Sequence, residues 1–306
     1  MKNKTIIIGD IHHQYRVVDK ILAHQKGNYN KAIFLGDYFD SFTDNPDIAK
    51  ETATWLNDIL NNPDYIFLSG NHDVSYMYPS NKNLYCSGFE YYKSKAILSV
   101  LDINKFRDKT KLFHRINNVF FSHAGISRKF LEYIQRRGEI DEVSYDPNII
   151  ESQLNSMMVK AHNYCDIGYA HPLYDAGSDR GGRAEQGGLI WCDLHSFEPI
   201  PNVVSIFGHT PVFPNPFAVR LAKYNETIGW KRGETYYPEK DTRGHEHLIV
   251  NGIGIGLDSH LHTFALYHED ENRLEIFKVT YDQKLEGIYY YDRNILTVEK
   301  VWDKKL

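Results

Sequence analysis

Aspartate, asparagine and histidine recur along this chain in one setting, just past a short apolar run that closes on glycine or serine. Thr5 to Ile8 leads into Gly9-Asp10-Ile11-His12, and Ala32 to Leu35 into Gly36-Asp37. Ile66 to Ser69 leads into Gly70-Asn71-His72-Asp73, Val119 to Ser122 into His123, and Val204 to Phe207 into Gly208-His209. Asp10, Asp37, Asn71 and the imidazoles of His12, His123 and His209 are all groups that can hold a metal ion. Singly, each is a strand-to-loop junction with an incidental polar residue. Five junctions of one kind in one chain make a ligand cluster.

The elements that must position these residues follow from the apolar runs. Continuous runs of four or five residues are strands buried on both faces, with helices covering a parallel or mixed sheet. In such sheets ligands bind beyond the carboxyl ends of the strands. Strand 5–9 is followed by a helix through about Gln25 with Val17, Val18, Ile21 and Leu22 as its buried stripe. Strand 32–35, a helix opening near Pro46 and carrying Ile48, Thr52, Trp55, Leu56, Ile59 and Leu60, and strand 65–68 complete a β-α-β-α-β run. Tyr76 to Lys95, rich in Tyr, Asn and Ser, reads as a loop over the site. Ser127 is expected to cap a helix bearing Phe130, Leu131 and Ile134, and 147–163 reads as a further helix. Five glycines with Arg180 and Arg183 suggest that 175–190 is a mobile, cationic loop, either a solvated linker or a phosphate contact, and Pro211, Pro214 and Pro216 exclude regular structure after His209. Strands are expected at Leu248 to Ile255, Thr263 to Tyr267, Leu274 to Tyr281 and Ile288 to Val301. One domain over 1–306, β-rich from about 245, is the simplest organisation.

Composition narrows the classes. With 25% charged and 42% apolar residues the chain is an ordinary globular protein. A net charge of −5 argues against a general nucleic-acid binder or a binder of anionic membranes. Cys86, Cys165 and Cys192 are too few and too scattered for a disulfide framework, which points to reduced thiols in a cytoplasmic protein. The N-terminus has no signal-peptide layout, and no apolar run is long enough to span a bilayer.

Gly9-Asp-Ile-His-His-Gln-Tyr15, Gly36-Asp-Tyr-Phe-Asp40, Gly70-Asn-His-Asp73, Ser122-His-Ala-Gly125 and Gly208-His-Thr210 together resemble the ordered motif set of the calcineurin-like metallophosphoesterases. Within that superfamily the chain looks most like the branch of serine/threonine phosphoprotein phosphatases and diadenosine-tetraphosphate hydrolases. Leu189-Ile-Trp-Cys-Asp193 and the segment Gly252 to Leu266 are similar to further parts of that branch. The resemblance implies an α/β four-layer αββα sandwich with mixed sheets and a two-metal site. Asp10 and His12 would bind one ion, Asn71, His123 and His209 the other, and Asp37 would bridge them. The mixed donor set suits Mn²⁺, with Fe or Zn²⁺ as alternatives, better than Mg²⁺ or Ca²⁺. Two such ions about 3.5–4 Å apart can hold a hydroxide and clamp a phosphate for in-line attack. His72, held by Asp40, would protonate the leaving oxygen.

Departures from the family pattern bear on the substrate. Ser41-Phe42 stand where the phosphatases carry Arg-Gly, so the arginine that holds phosphate is missing; His13 replaces a glycine and Asp73 a glutamate. A substitute donor is expected from Arg180 and Arg183, with Arg128 as the fallback. His245, His247, His260 and His262 belong to no strand-end series and are assigned to surface or hairpin roles. The expected activity is that of a phosphomonoesterase on a phosphoprotein or nucleotide. The rivals are a phosphodiesterase or dinucleoside polyphosphate hydrolase, and a non-catalytic binding module of the same fold.

Overall fold

The computed structural model describes residues 3–41, 43–212, 218–223, 226–227, 252–282 and 292–306. In chain order the strands are β1 (Lys4–Ile8), β2 (Lys31–Phe34), β3 (Tyr65–Leu68), β4 (Thr110–Lys111), β5 (Phe113–Ile116), β6 (Val119–Ser122), β7 (Val203–Phe207), β8 (Ala218–Lys223), β9 (Glu226–Thr227), β10 (Gly252–Gly256), β11 (Thr263–His268), β12 (Arg273–Tyr281) and β13 (Ile295–Lys305). The helices are α1 (Tyr15–His24), α2 (Pro46–Ile59), α3 (Asn71–Met77), α4 (Tyr91–Leu98), α5 (Ile103–Lys109), α6 (Arg128–Arg136) and α7 (Pro147–Asp166).

One sheet runs β13-β12-β11-β1-β2-β3-β4 and the other β5-β6-β7-β10-β8-β9. Both are mixed: β1, β2, β3 and β4 are mutually parallel while β11 lies antiparallel to β1, and β6, β7 and β10 are parallel between antiparallel flanks. Alternation along a strand sends successive side chains to opposite faces, and each face of β1 has its own core. Ile6 and Ile8 pack with Val17, Val18 and Ile21 of α1 and Leu56 of α2. Ile7 packs with Ile33 of its own sheet and with Val204, Ile206 and Ile255 of the other. Phe120 and Val203 turn outward toward Phe130 and Ile134 of α6 and Leu154 of α7. The layers are therefore helix, sheet, sheet, helix. The apolar runs are doubly buried as expected, but one of the two covers is a second sheet rather than helices on both sides.

Several elements differ from the sequence reading. Asn71-His72-Asp73 opens a helix instead of a polar turn, because the Asp73 carboxylate reaches back to accept the Gly70 N–H at 2.8 Å. Between Tyr76 and Lys95 lie the end of α3, a 3₁₀ turn at Lys82–Leu84 and the start of α4, so this is only partly loop. α5, with Phe106 as its one buried residue, is too short to show a periodic stripe. α7 runs on to Asp166. Ser127 occupies the N-cap position of α6 but makes no cap bond; its hydroxyl accepts the Glu198 N–H at 2.9 Å. Asn45 does cap α2, accepting from the Asp47 and Ile48 N–H groups. Pro214, Pro216, His245, His247 and the expected strand residues 248–251 and 288–291 lie outside the described residues. Among the described residues no helix is long and apolar enough to cross a membrane, and all three cysteines are free thiols.

Candidate active site

Because β1, β2 and β3 are parallel neighbours, their carboxyl ends deliver Asp10, Asp37 and Asn71 side by side. The parallel pair β6 and β7 delivers His123 and His209 from the other sheet. The His209 N–H donates to both Asp10 carboxylate oxygens at 3.1 and 3.0 Å, which ties the two sheets together at the site. Asp37 Oδ2 lies 3.3 Å from His123 Nε2 and 3.8 Å from His12 Nε2. Asn71 Oδ1 stands 3.1 Å from His123 Nε2 and 2.9 Å from His209 Nδ1. Two groups emerge, Asp10 with His12 and Asp37, and Asp37 with His123 and His209; within each group the potential ligand atoms all lie within 4.8 Å of one another. Asp37 belongs to both. The structure thus gathers all six residues named from the strand ends.

The site is built to accept cations. His12 Nδ1 donates to the Asp40 carbonyl at 2.6 Å and His123 Nδ1 to the Leu35 carbonyl at 2.9 Å, and such a bond turns the Nε2 lone pair toward a metal. His209 Nε2 is buried and has no hydrogen-bond partner. A Cβ at Gly70 would sit 1.9 Å from Asp37 Oδ1, and one at Gly208 the same distance from Asp10 Oδ1, so only glycine lets these carboxylates lie against the turns. His12, Asp37, Asp40 and His209 all have positive φ, a cost that surrounding structure sustains at functional positions. The donor set and the orphaned imidazole nitrogen fit divalent metal binding.

Electrostatics agree with that fit. Burial, then Asp258 and Asp37, push the Asp10 carboxyl well above its ordinary range. Burial would lower His123, but Asp37 and Asp10 outweigh it and raise the imidazole to about 9. His209 goes the other way, well below the usual value, through burial, His123 and Arg180. Acidic groups crowded until one must hold a proton are what bound cations relieve.

Beside this cluster, His72 Nδ1 lies 3.0 Å from Asp40 Oδ2. The other oxygen of Asp40 accepts from Tyr76 Oη at 2.5 Å and from the buried Lys93 Nζ at 2.8 Å. Lys93 also donates to Asp44 Oδ2 at 2.9 Å, the oxygen that His13 Nε2 meets at 3.0 Å. Burial would raise Asp40, yet His72, Lys93 and Tyr76 hold it below the ordinary carboxylate value. Burial would lower His72, yet Asp37 and Asp40 raise it well above the usual imidazole value. His13 and Asp73, two of the departures noted in the sequence, thus have structural work: His13 braces Asp44. Asp73 accepts the backbone N–H groups of Asp37 at 2.7 Å and Tyr38 at 2.8 Å, locking the second ligand loop to the third.

Tyr76, Lys93 and Asp44 were not foreseen, and Asp258, ligand-like in the sequence with His260 and His262, was set aside there as part of no strand-end series. Asp258 is buried, one of its oxygens has no hydrogen-bond partner, and its charge acts on Asp10. It stands two residues beyond β10, which is parallel to β7, so Gly252-Ile-Gly-Ile-Gly256-Leu-Asp258 is a sixth strand end of the same kind. His260, assigned to a hairpin role, is half-buried among the charges of Asp258, His12 and Arg293.

The three candidate arginines part ways. Arg180 lies beside His209, with Nε 2.8 Å from Asp193 Oδ2 and Nη2 donating to Thr210 Oγ1 at 2.9 Å. Arg183 is exposed on the same loop. Arg128 is paired with Glu132 at 2.8 Å and with Glu198, and among the described residues no contact places it beside the metal-ligand residues.

Residues 4–213 match the family model of the calcineurin-like phosphoesterases, and the chain belongs to that family. Solved structures that resemble it include a metallophosphoesterase from Sphaerobacter thermophilus, 11% identical, covering 99% of this chain and 90% of that one with a TM-score of 0.41. A protein serine/threonine phosphatase from Saccharomyces cerevisiae is 13% identical over 87% of this chain and 73% of its own, with a TM-score of 0.42. A putative diadenosine tetraphosphatase is 16% identical over 99% and 95%, with a TM-score of 0.36. No curated protein matches the chain.

Proposed function

We propose that the protein is a dinuclear metal-dependent phosphoesterase, and foremost a phosphomonoesterase acting on a phosphoprotein or a nucleotide. The observation that carries this reading is Asp37, shared by two ligand groups, with the Asp40 and His72 pair beside them. Asp10, His12 and Asp37 would hold one divalent ion and Asp37, Asn71, His123 and His209 the other, and this mixed set of three oxygen and three imidazole donors suits Mn²⁺, with Fe or Zn²⁺ as alternatives. Bound there, the ions supply Lewis acidity for phosphoryl oxygens and acidify water near neutral pH.

The chain's own groups do the rest. Nδ1 of His72 is engaged by Asp40, so Nε2 is the atom that carries a transferable proton to the leaving oxygen. Lys93 and Tyr76 keep Asp40 ionised and fixed, which keeps the ring oriented. Arg180, stretched between Asp193 and Thr210 next to His209, is the donor we assign to the phosphoryl group in place of the arginine absent at Ser41. The test is a screen of the metal-reconstituted protein against p-nitrophenyl phosphate, its bis ester, phosphopeptides and dinucleoside polyphosphates. Turnover of monoesters above the diester supports the reading. Preference for the bis ester or a dinucleoside polyphosphate would favour the diesterase or dinucleotide alternative, and no metal-dependent turnover of any of them would favour a binding module.

A further inference from the structure

Asp40, His72 and Cys86 form a third group of potential ligands in the described part of the chain, with the contributing atoms all within 4.8 Å of one another. Cys86 Sγ lies 3.4 Å from His72 Nδ1, which in turn lies 3.0 Å from Asp40 Oδ2. Tetrahedral zinc, with bonds of about 2.0–2.3 Å, sets neighbouring ligand atoms about 3.3–3.6 Å apart. The sulfur to nitrogen spacing already fits that geometry, and the nitrogen to oxygen spacing must open by only about 0.3 Å.

The three atoms are held for the purpose. Asp40 Oδ1 is occupied by Tyr76 and Lys93, which leaves Oδ2 facing His72. Ser75 Oγ, 3.0 Å from the Leu84 carbonyl and 3.4 Å from Cys86 Sγ, accepts the Cys86 N–H at 3.3 Å, which holds the Cys86 backbone beside α3. Cys86 is half-buried and the His72 side chain is 18% exposed, so an ion can enter from solvent. Neither of the other two groups contains a sulfur ligand, and sulfur prefers Zn²⁺ to Mn²⁺ or Mg²⁺.

We propose that Asp40, His72 and Cys86 bind Zn²⁺, or a comparably thiophilic divalent ion, as an inhibitory site separate from the dinuclear centre. On binding, Cys86 loses its thiol proton and His72 its Nδ1 proton to solvent as the sulfur and nitrogen bonds form. What remains of His72 is a neutral, metal-bound imidazole, a poor acid. Binding stands on geometry alone, whereas inhibition rests on the reading of His72 as the proton donor.

Titration of the metal-free protein with Co²⁺ tests the site without any assay of activity. A thiolate-to-cobalt charge-transfer absorption in the near ultraviolet is expected in the wild type and absent from Cys86→Ala and Cys86→Ser. No such band in the wild type, or a band that survives in both variants, overturns the proposal. In a second arm, Zn²⁺ added to the Mn²⁺-loaded enzyme should inhibit turnover of alkyl phosphates more than that of p-nitrophenyl phosphate. Cys86→Ser should raise the half-inhibitory Zn²⁺ concentration about tenfold or more. A cobalt band accompanied by equal inhibition of both substrate types would uphold the site and overturn the proton-donor role of His72.

Discussion

Lys93 Nζ, buried between two carboxylates, lies 2.8 Å from Asp40 and 2.9 Å from Asp44, and through Asp40 it reaches His72. A charge removed from water at this point needs both partners, and removing one member of such a buried set typically costs about 3–5 kcal/mol. Lys93→Met should therefore lower stability in urea unfolding by about that amount, while Lys93→Arg should lose less. In the folded fraction, the methionine variant should favour p-nitrophenyl phosphate over alkyl phosphates more than the wild type does. Unchanged stability together with an unchanged substrate ratio would contradict the bracing role.

If Nε2 of His72 protonates the leaving oxygen, His72→Asn should slow esters of poor leaving groups by about 10²–10⁴-fold. p-Nitrophenyl phosphate, whose phenolate departs without a proton, should suffer much less. Asp40→Asn should show the same bias more weakly. An equal loss on both substrate types, with metal content intact, would exclude this role.

Metal uptake should depend on pH with a definite sign. With its imidazole raised to about 9 by Asp37 and Asp10, His123 carries a proton at neutral pH that an incoming ion must displace. Affinity should then climb as pH rises from 7 and level off beyond about 9, with proton release visible by calorimetry in buffers of different ionisation enthalpy. Affinity that is flat over that range would contradict it.

Arg180→Ala should raise KM and the inhibition constant for free phosphate about tenfold or more, matching a charged hydrogen bond worth about 1.5–3 kcal/mol. Arg183→Ala and Arg128→Ala, which change an exposed side chain and a surface ion pair, should move either constant by less than about twofold. The reverse ranking would send the phosphate donor elsewhere.

The ligand cluster was legible because Asp10, Asp37, Asn71, His123 and His209 each follow an apolar run, and runs of that kind become parallel strands whose ends meet. The supporting charges were not. Lys93 is 53 residues from Asp40, on a helix with little periodicity, and no local pattern distinguishes a lysine destined for burial. Asp258 follows the same strand-end pattern as the ligands, but alternating Gly and Ile in β10 disguise the apolar run before it. The helical start at Asn71 depends on Asp73 reaching back to Gly70, a contact of the folded turn rather than of any hydrophobic pattern. Of the two partners of Arg128, Glu132 is one helical turn away and legible in the sequence, whereas Glu198 lies 70 residues on and is not.

The central claim is that Asp37 serves two ions at once, and elemental analysis of purified Asp37→Asn tests it most directly. The account predicts that the variant stays folded, retains neither ion tightly, and loses turnover by more than about a hundredfold. Two tightly held ions per chain with normal turnover in that variant would contradict it.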